Sequence, residues 1–144
     1  MINEFNGIDG QRHLVDELLK QSVLRGFKGM AIMFAKICTV EEYQSGSTIY
    51  KEGDTSRYIS LILSGRVSIV ANNKEVAQRA SGQYFGEMAL IDTTPRSASV
   101  VAMDNTVLAN ISEPDFTEIA DNHPKLWRYL AHELSEVIRV LNRR

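Results

Sequence analysis

The sequence predicts an α+β protein: a jelly-roll-like antiparallel β-roll of about eight strands, flanked by helices at both ends. Three observations carry this. Apolar residues recur at helical spacing up to Cys38. Short β-branched and aromatic stretches separated by turn signals then run to Ser112, and helical spacing returns from Glu113. The expected division is N-terminal helices over 1–38, the roll over 39–112 and C-terminal helices over 113–144, all one domain.

In the first zone Leu14, Leu18 and Leu19 share one helical face. Gly26 interrupts, and Gly29 to Lys36 reads as a second helix that buries Met30, Ile32, Met33, Phe34 and Ile37. Cys38, at the end of that apolar stretch, reads as a buried, unreactive thiol. In the second zone the turn signals are Ser45-Gly46, Glu52-Gly53-Asp54, Ser64-Gly65, Asn72-Asn73 and Ser81-Gly82. Arg66 to Ile69 and Thr106 to Ile111 alternate as half-buried strands do. Asn72-Asn73 suits a tight hairpin, because Asn tolerates positive φ. In the third zone Ser112 is an N-cap, Pro114 fits a first turn, and Asp115 complements the helix dipole. A long helix follows from about Pro124 to Leu141.

Composition narrows the function. The 144 residues are 44% hydrophobic and 24% charged, with a net charge of -2; that is an ordinary globular make-up, without the basic surface that direct nucleic-acid binding requires. One cysteine excludes an internal disulfide. There is no signal-peptide pattern and no apolar run long enough for a membrane span, so a cytoplasmic location is expected. His13, His123 and His132 share no metal-ligand spacing, and no nucleophile–base arrangement or P-loop is present, so neither a metal site nor catalysis is expected.

The informative stretch is Gly82 to Val100. Gly86-Glu87-Met88-Ala89-Leu90 reads as one helical turn entered through a glycine, and Pro95 returns the chain to a strand at Ser97–Val101. Such a turn offers backbone N–H groups to an anion, and Arg96 could close over it with a two-pronged contact that Lys cannot copy. Glu87 would repel an anion it touched, but it would accept a hydrogen bond from a hydroxyl on the same ligand. A sugar phosphate supplies both groups.

Phe85–Leu90 and Pro95–Val100 resemble the phosphate-binding cassette of the cyclic nucleotide-binding domain family, which includes the bacterial catabolite activator protein, regulatory subunits of cyclic-AMP-dependent protein kinase and cyclic-nucleotide-gated channels. Tyr43 to Gly46, Ile49, Glu52 to Asp54 and Ile62 to Val67 fall where that family has its early strands and turns, so the likeness runs from about Leu24 to Leu141. It implies that Glu87 takes the ribose 2′-hydroxyl and Arg96 the exocyclic phosphate oxygens. It further implies that Gly86 and the backbone of Met88 and Ala89 line the phosphate, and that Ser97 adds a hydroxyl near phosphate and base. Leu90 would link the cassette to the C-terminal helices. The implied ligand is cyclic AMP or cyclic GMP, cyclic AMP favoured, with no further cofactor. The implied partner is a downstream protein that reads the helices.

Blander readings stand beside these. Glu87 and Arg96 could be a structural ion pair, and Val67, Ile69, Ala98 and Val100 are most simply core. Trp127, Leu130, Leu134, Val137 and Leu141 form a heptad stripe that could pack on the roll, join a homodimer or close over the base. A catabolite-activator-type regulator would need a helix-turn-helix beyond Arg144, and a non-binding interaction domain would keep the fold without a ligand.

Overall fold

The computed structural model describes residues 2–24, 27–91 and 94–142, the last stretch by backbone alone at 136–138 and 140–142. Gly26, Asp92, Thr93, Arg143 and Arg144 therefore lie outside the described residues, as do the side chains of Val137 and Leu141.

After a 3-10 turn at Ile2–Phe5 come α1 (Gly7–Leu19) and α2 (Lys28–Ile37). Eight strands follow: β1 (Thr39–Tyr43), β2 (Thr48–Tyr50), β3 (Tyr58–Ser64), β4 (Arg66–Ala71), β5 (Lys74–Ala80), β6 (Tyr84–Phe85), β7 (Ser99–Ala102) and β8 (Thr106–Ser112). The short α3 (Met88–Ile91) lies between β6 and β7, and α4 (Glu113–Asn122) and α5 (Lys125–Asn142) close the chain. The strands form two four-stranded antiparallel sheets, ordered β1-β8-β3-β6 and β2-β7-β4-β5. The predicted roll between helices is the observed architecture.

Local chemistry explains the turns. Asn72 and Asn73 adopt φ of 52° and 63°, the two left-handed conformations of a type I′ hairpin joining β4 to β5. Ser112 caps α4, its hydroxyl accepting from the Asp115 N–H at 3.4 Å, with Pro114 in the first turn.

Two apolar clusters share the interior. Between the sheets lie Tyr50, Ile62, Val67, Phe85, Val100 and Leu108. On the other face of the first sheet, Ile59, Leu61, Val107 and Ile111 meet Leu14, Leu18, Phe34, Phe116 and Leu130 from the helices. β3 and β8 are thus covered on both faces. This corrects the half-buried expectation for β8: Val107, Ala109 and Ile111 face the helices, while Leu108 and Thr106 are also fully buried. Its polar positions are satisfied in place, with Asn110 accepting from the Ser60 hydroxyl at 2.7 Å.

Other expectations shift in detail. Ile32 is exposed rather than buried. Cys38 is half-buried, and desolvation pushes its thiol up to about 11, which keeps it protonated and inert. Trp127 packs edge-on against Phe116 at 5.5 Å and Leu130 is buried, so this described part of the stripe is spent inside the chain. Leu134 lines a cavity beside β6.

Candidate functional site

The site begins at a turn. Between β2 and β3, Gly53 adopts φ +88°, and this turn is tied to the cassette by two backbone hydrogen bonds. Gly53 donates to the Arg96 carbonyl and Arg96 donates to the Asp54 carbonyl, both at 2.8 Å. The pairing fixes where Arg96 leaves the backbone.

Its side chain is then held from all sides. Arg96 is 7% exposed. Its Nε donates to the Ser56 hydroxyl at 3.2 Å, Nη1 to the Gly86 carbonyl at 3.2 Å and Nη2 to the Tyr58 carbonyl at 2.9 Å. The guanidinium carbon lies 4.1 Å from the Tyr50 ring centroid and 4.9 Å from that of Tyr58. The guanidinium lies over both rings, which meet at 83°, so two aromatic faces attract the cation. The fork carries more N–H donors than these three contacts use, which leaves donors for a ligand oxygen. Burial pushes the Tyr50 phenol up to about 12, so it stays neutral beside the cation.

Gly86 is required by shape. Its φ is +86°, and a Cβ there would lie 3.0 Å from Arg96 Nη1 and 3.0 Å from the Tyr58 carbonyl oxygen. Beyond it α3 makes one turn. Ala89 donates to the Gly86 carbonyl at 3.3 Å and Leu90 to the Glu87 carbonyl at 3.0 Å. The sequence leads one to expect the N–H groups of this turn to be offered to an anion; the Ala89 N–H is instead engaged by its own turn, because the chain closes a hydrogen-bonded loop at once. Leu90 is buried in the cluster that contains Phe116, Leu126 and Leu130, which joins the cassette to α4 and α5.

Gly86, Glu87, Met88, Ala89, Arg96 and Ser97 all line one cavity of about 150 Å³. The fold brings these six candidate ligand-binding residues together. No ion pair within 4.0 Å joins Glu87 to Arg96 among the described residues. Glu87 is half-buried, and desolvation raises its carboxyl above the ordinary range. A contact with its own backbone N–H and the nearby Arg79 and Arg96 oppose that rise, and Glu133 reinforces it.

The sequence reading missed several wall residues. Ile69 and Ala98, assigned to the core, are half-buried and line the cavity. Tyr50 lines the cavity and Tyr58 packs on the Arg96 guanidinium; the two flank the Glu52-Gly53-Asp54 turn, and an aromatic on each side of a glycine turn is a signal that could have been read. Arg79 and Tyr84 also line it, and with Glu87 they continue into a second cavity of about 210 Å³ reaching Leu130, Glu133 and Leu134 on α5. There the Tyr84 hydroxyl donates to Glu133 at 2.5 Å.

The chain is similar to several known proteins. A Pycsar effector protein of Xanthomonas perforans, XpPycTIR, is 34% identical over 94% of this chain and 45% of its own length. The cAMP-dependent protein kinase regulatory subunit of Schizosaccharomyces pombe is 35% identical over 82% of this chain and 29% of its own length. The catabolite activator protein of Thermus thermophilus superposes with a TM-score of 0.75 at 25% identity, over 83% of this chain and 59% of that one. The chain spans less than half the length of the Pycsar relatives it matches. The family profile for the cyclic nucleotide-binding domain covers residues 40–123, from β1 through the cassette to the end of α4, and the chain belongs to that family.

Proposed function

We propose that this chain is a regulatory sensor that binds a 3′,5′-cyclic mononucleotide between Glu87 and Arg96 and signals occupancy through α4 and α5. The observation that carries the reading is a carboxylate and a guanidinium on one cavity wall with no ion pair between them. A phosphodiester takes the remaining donors of Arg96, Gly86 lets the backbone approach it, and Met88, Ala89 and Ser97 complete the wall. The ribose 2′-hydroxyl donates to Glu87, a charge-assisted bond that a deoxyribose cannot make. Cyclic AMP is proposed over cyclic GMP, and because relatives named for each nucleotide match the chain, titration with both decides it.

Leu90 supports the coupling to α4 and α5, since it shares a packed cluster with Phe116, Leu126 and Leu130. A ligand shifts such helices only by its differential affinity for the two arrangements. The output is a downstream effector protein, with no direct contact to nucleic acid, acting in the cytoplasm. Among the described residues no helix is long and apolar enough to cross a membrane. A homodimer through α5 is tested by sedimentation velocity.

Thermal denaturation with cyclic AMP, cyclic GMP, cyclic CMP and cyclic UMP tests the binding itself. A ligand at about 100 times its dissociation constant adds about 2.7 kcal/mol, or about 5–10 °C in Tm. A flat Tm with all four refutes the reading.

A further inference from the structure

Two charged residues outside the cassette converge on Glu87 from different elements. Arg79 projects from the end of β5 into the wall that both cavities share, together with Tyr84 and Glu87. Glu133 comes from α5 and lines the second cavity, where the Tyr84 hydroxyl holds its carboxylate at 2.5 Å. Tyr84 is itself buried, so the contact is anchored rather than solvent-tethered. Glu87 therefore shares one cavity lining with a cation and a second carboxylate, in a half-buried setting where charges are poorly screened.

We propose that Arg79 and Glu133 are positioning residues that act on Glu87 in opposition: Arg79 keeps its carboxylate charged for the ligand hydroxyl, and Glu133 works against that charge. This rests on the reading of Glu87 as the hydroxyl acceptor. Desolvation already favours the protonated acid, Glu133 adds to that tendency, and Arg79 and Arg96 oppose it. The other titratable groups around Glu87 are Tyr50 on β2 and Tyr84 on β6, with Tyr129 on α5 near Tyr84; burial keeps Tyr50 and Tyr84 neutral.

A consequence reaches α5. Glu133 rides on that helix, so a displacement that carries it away from Glu87 strengthens the carboxylate's charge and hence its grip on a hydroxyl. By linkage, ligand binding favours the same displacement. The coupling between pocket and helix is then partly electrostatic, through a carboxylate pair, in addition to the packing at Leu90.

Carboxyl ¹³C NMR of Glu87 tests the charge balance without any ligand. The titration midpoint should fall by about half a unit or more in Glu133→Gln and rise by a similar amount in Arg79→Gln. Arg79→Lys, which keeps the charge, should retain the wild-type midpoint and separates charge from packing. Midpoints unmoved in both Gln variants overturn the proposal. Calorimetry with cyclic AMP at about pH 5.5 and pH 7.5 then tests the link to binding. The affinity lost at the lower pH should be smaller in Glu133→Gln, larger in Arg79→Gln, and missing for 2′-deoxy cyclic AMP. An equal loss for the deoxy compound overturns the link to the hydroxyl. Shifted midpoints without cyclic AMP binding at any pH would uphold the electrostatic pair and refute the assigned ligand.

Discussion

Replacing Arg96 by lysine keeps a positive charge and removes a shape. The guanidinium holds three protein oxygens at once, those of Ser56, Gly86 and Tyr58, while lying 4.1 Å from the Tyr50 ring centroid. An ammonium on a flexible stem can reach one of those acceptors in any single rotamer. Two of the three acceptors then lose the hydrogen bond that the guanidinium gave them. Hydrogen bonds from a charged donor contribute about 1.5–3 kcal/mol each. Two of the three contacts are long, at 3.2 Å, so the low end applies and Arg96→Lys should destabilise the chain by about 3 kcal/mol. For a domain of this size that is a fall of about 6–12 °C in Tm. The assay is calorimetric unfolding of both proteins without added nucleotide. The same variant should bind a cyclic nucleotide about thirtyfold more weakly, about 2 kcal/mol, because the two-pronged contact is gone. A Tm within about 1 °C of wild type would refute the reasoning, since it would mean the three anchoring contacts contribute nothing.

Three other outcomes follow from the same geometry. Glu87→Gln should raise Tm at neutral pH. A carboxyl held above its ordinary range contributes stability fully present below that range and lost as pH rises through its folded value. Tm measured against pH should show the advantage of the variant fading toward pH 4, and an advantage constant across pH would contradict this. Gly86→Ala places a methyl group 3.0 Å from the Tyr58 carbonyl oxygen at a φ of +86°; denaturant unfolding should register a loss of about 2 kcal/mol. Phe116→Ala empties a site packed by Phe34 and Trp127 at 5.9 and 5.5 Å. It should cost about 3–5 kcal/mol by the same assay, and a cost under about 1 kcal/mol would mean that α4 is not anchored there.

The strand zone was legible because turn chemistry is local. Asn72-Asn73, Ser112 and the glycine turns each announce their geometry within four residues. Burial on a second face is not local, and so Thr106 to Ile111 reads as a half-buried strand although helices cover its outer side. The site divides along the same line. Glu87 and Arg96 are visible through the spacing of one segment, and the fold sets both on one cavity. Tyr50, Ser56 and Tyr58 reach the Arg96 side chain from about forty residues upstream, and no pattern in the cassette indicates that protein oxygens hold the guanidinium. Arg79 and Glu133 stayed hidden for the same reason. Each reads as an ordinary charge on a strand end or a helix, and becomes meaningful only when β5 and α5 meet beside Glu87.

A crystal structure with the tightest-binding cyclic mononucleotide tests the central claim most directly. The account predicts an exocyclic phosphate oxygen within about 3 Å of Arg96 Nη1 or Nη2 and the 2′-hydroxyl within about 3 Å of a Glu87 carboxylate oxygen. A nucleotide seated elsewhere, or one whose phosphate and sugar leave either side chain untouched, would contradict it.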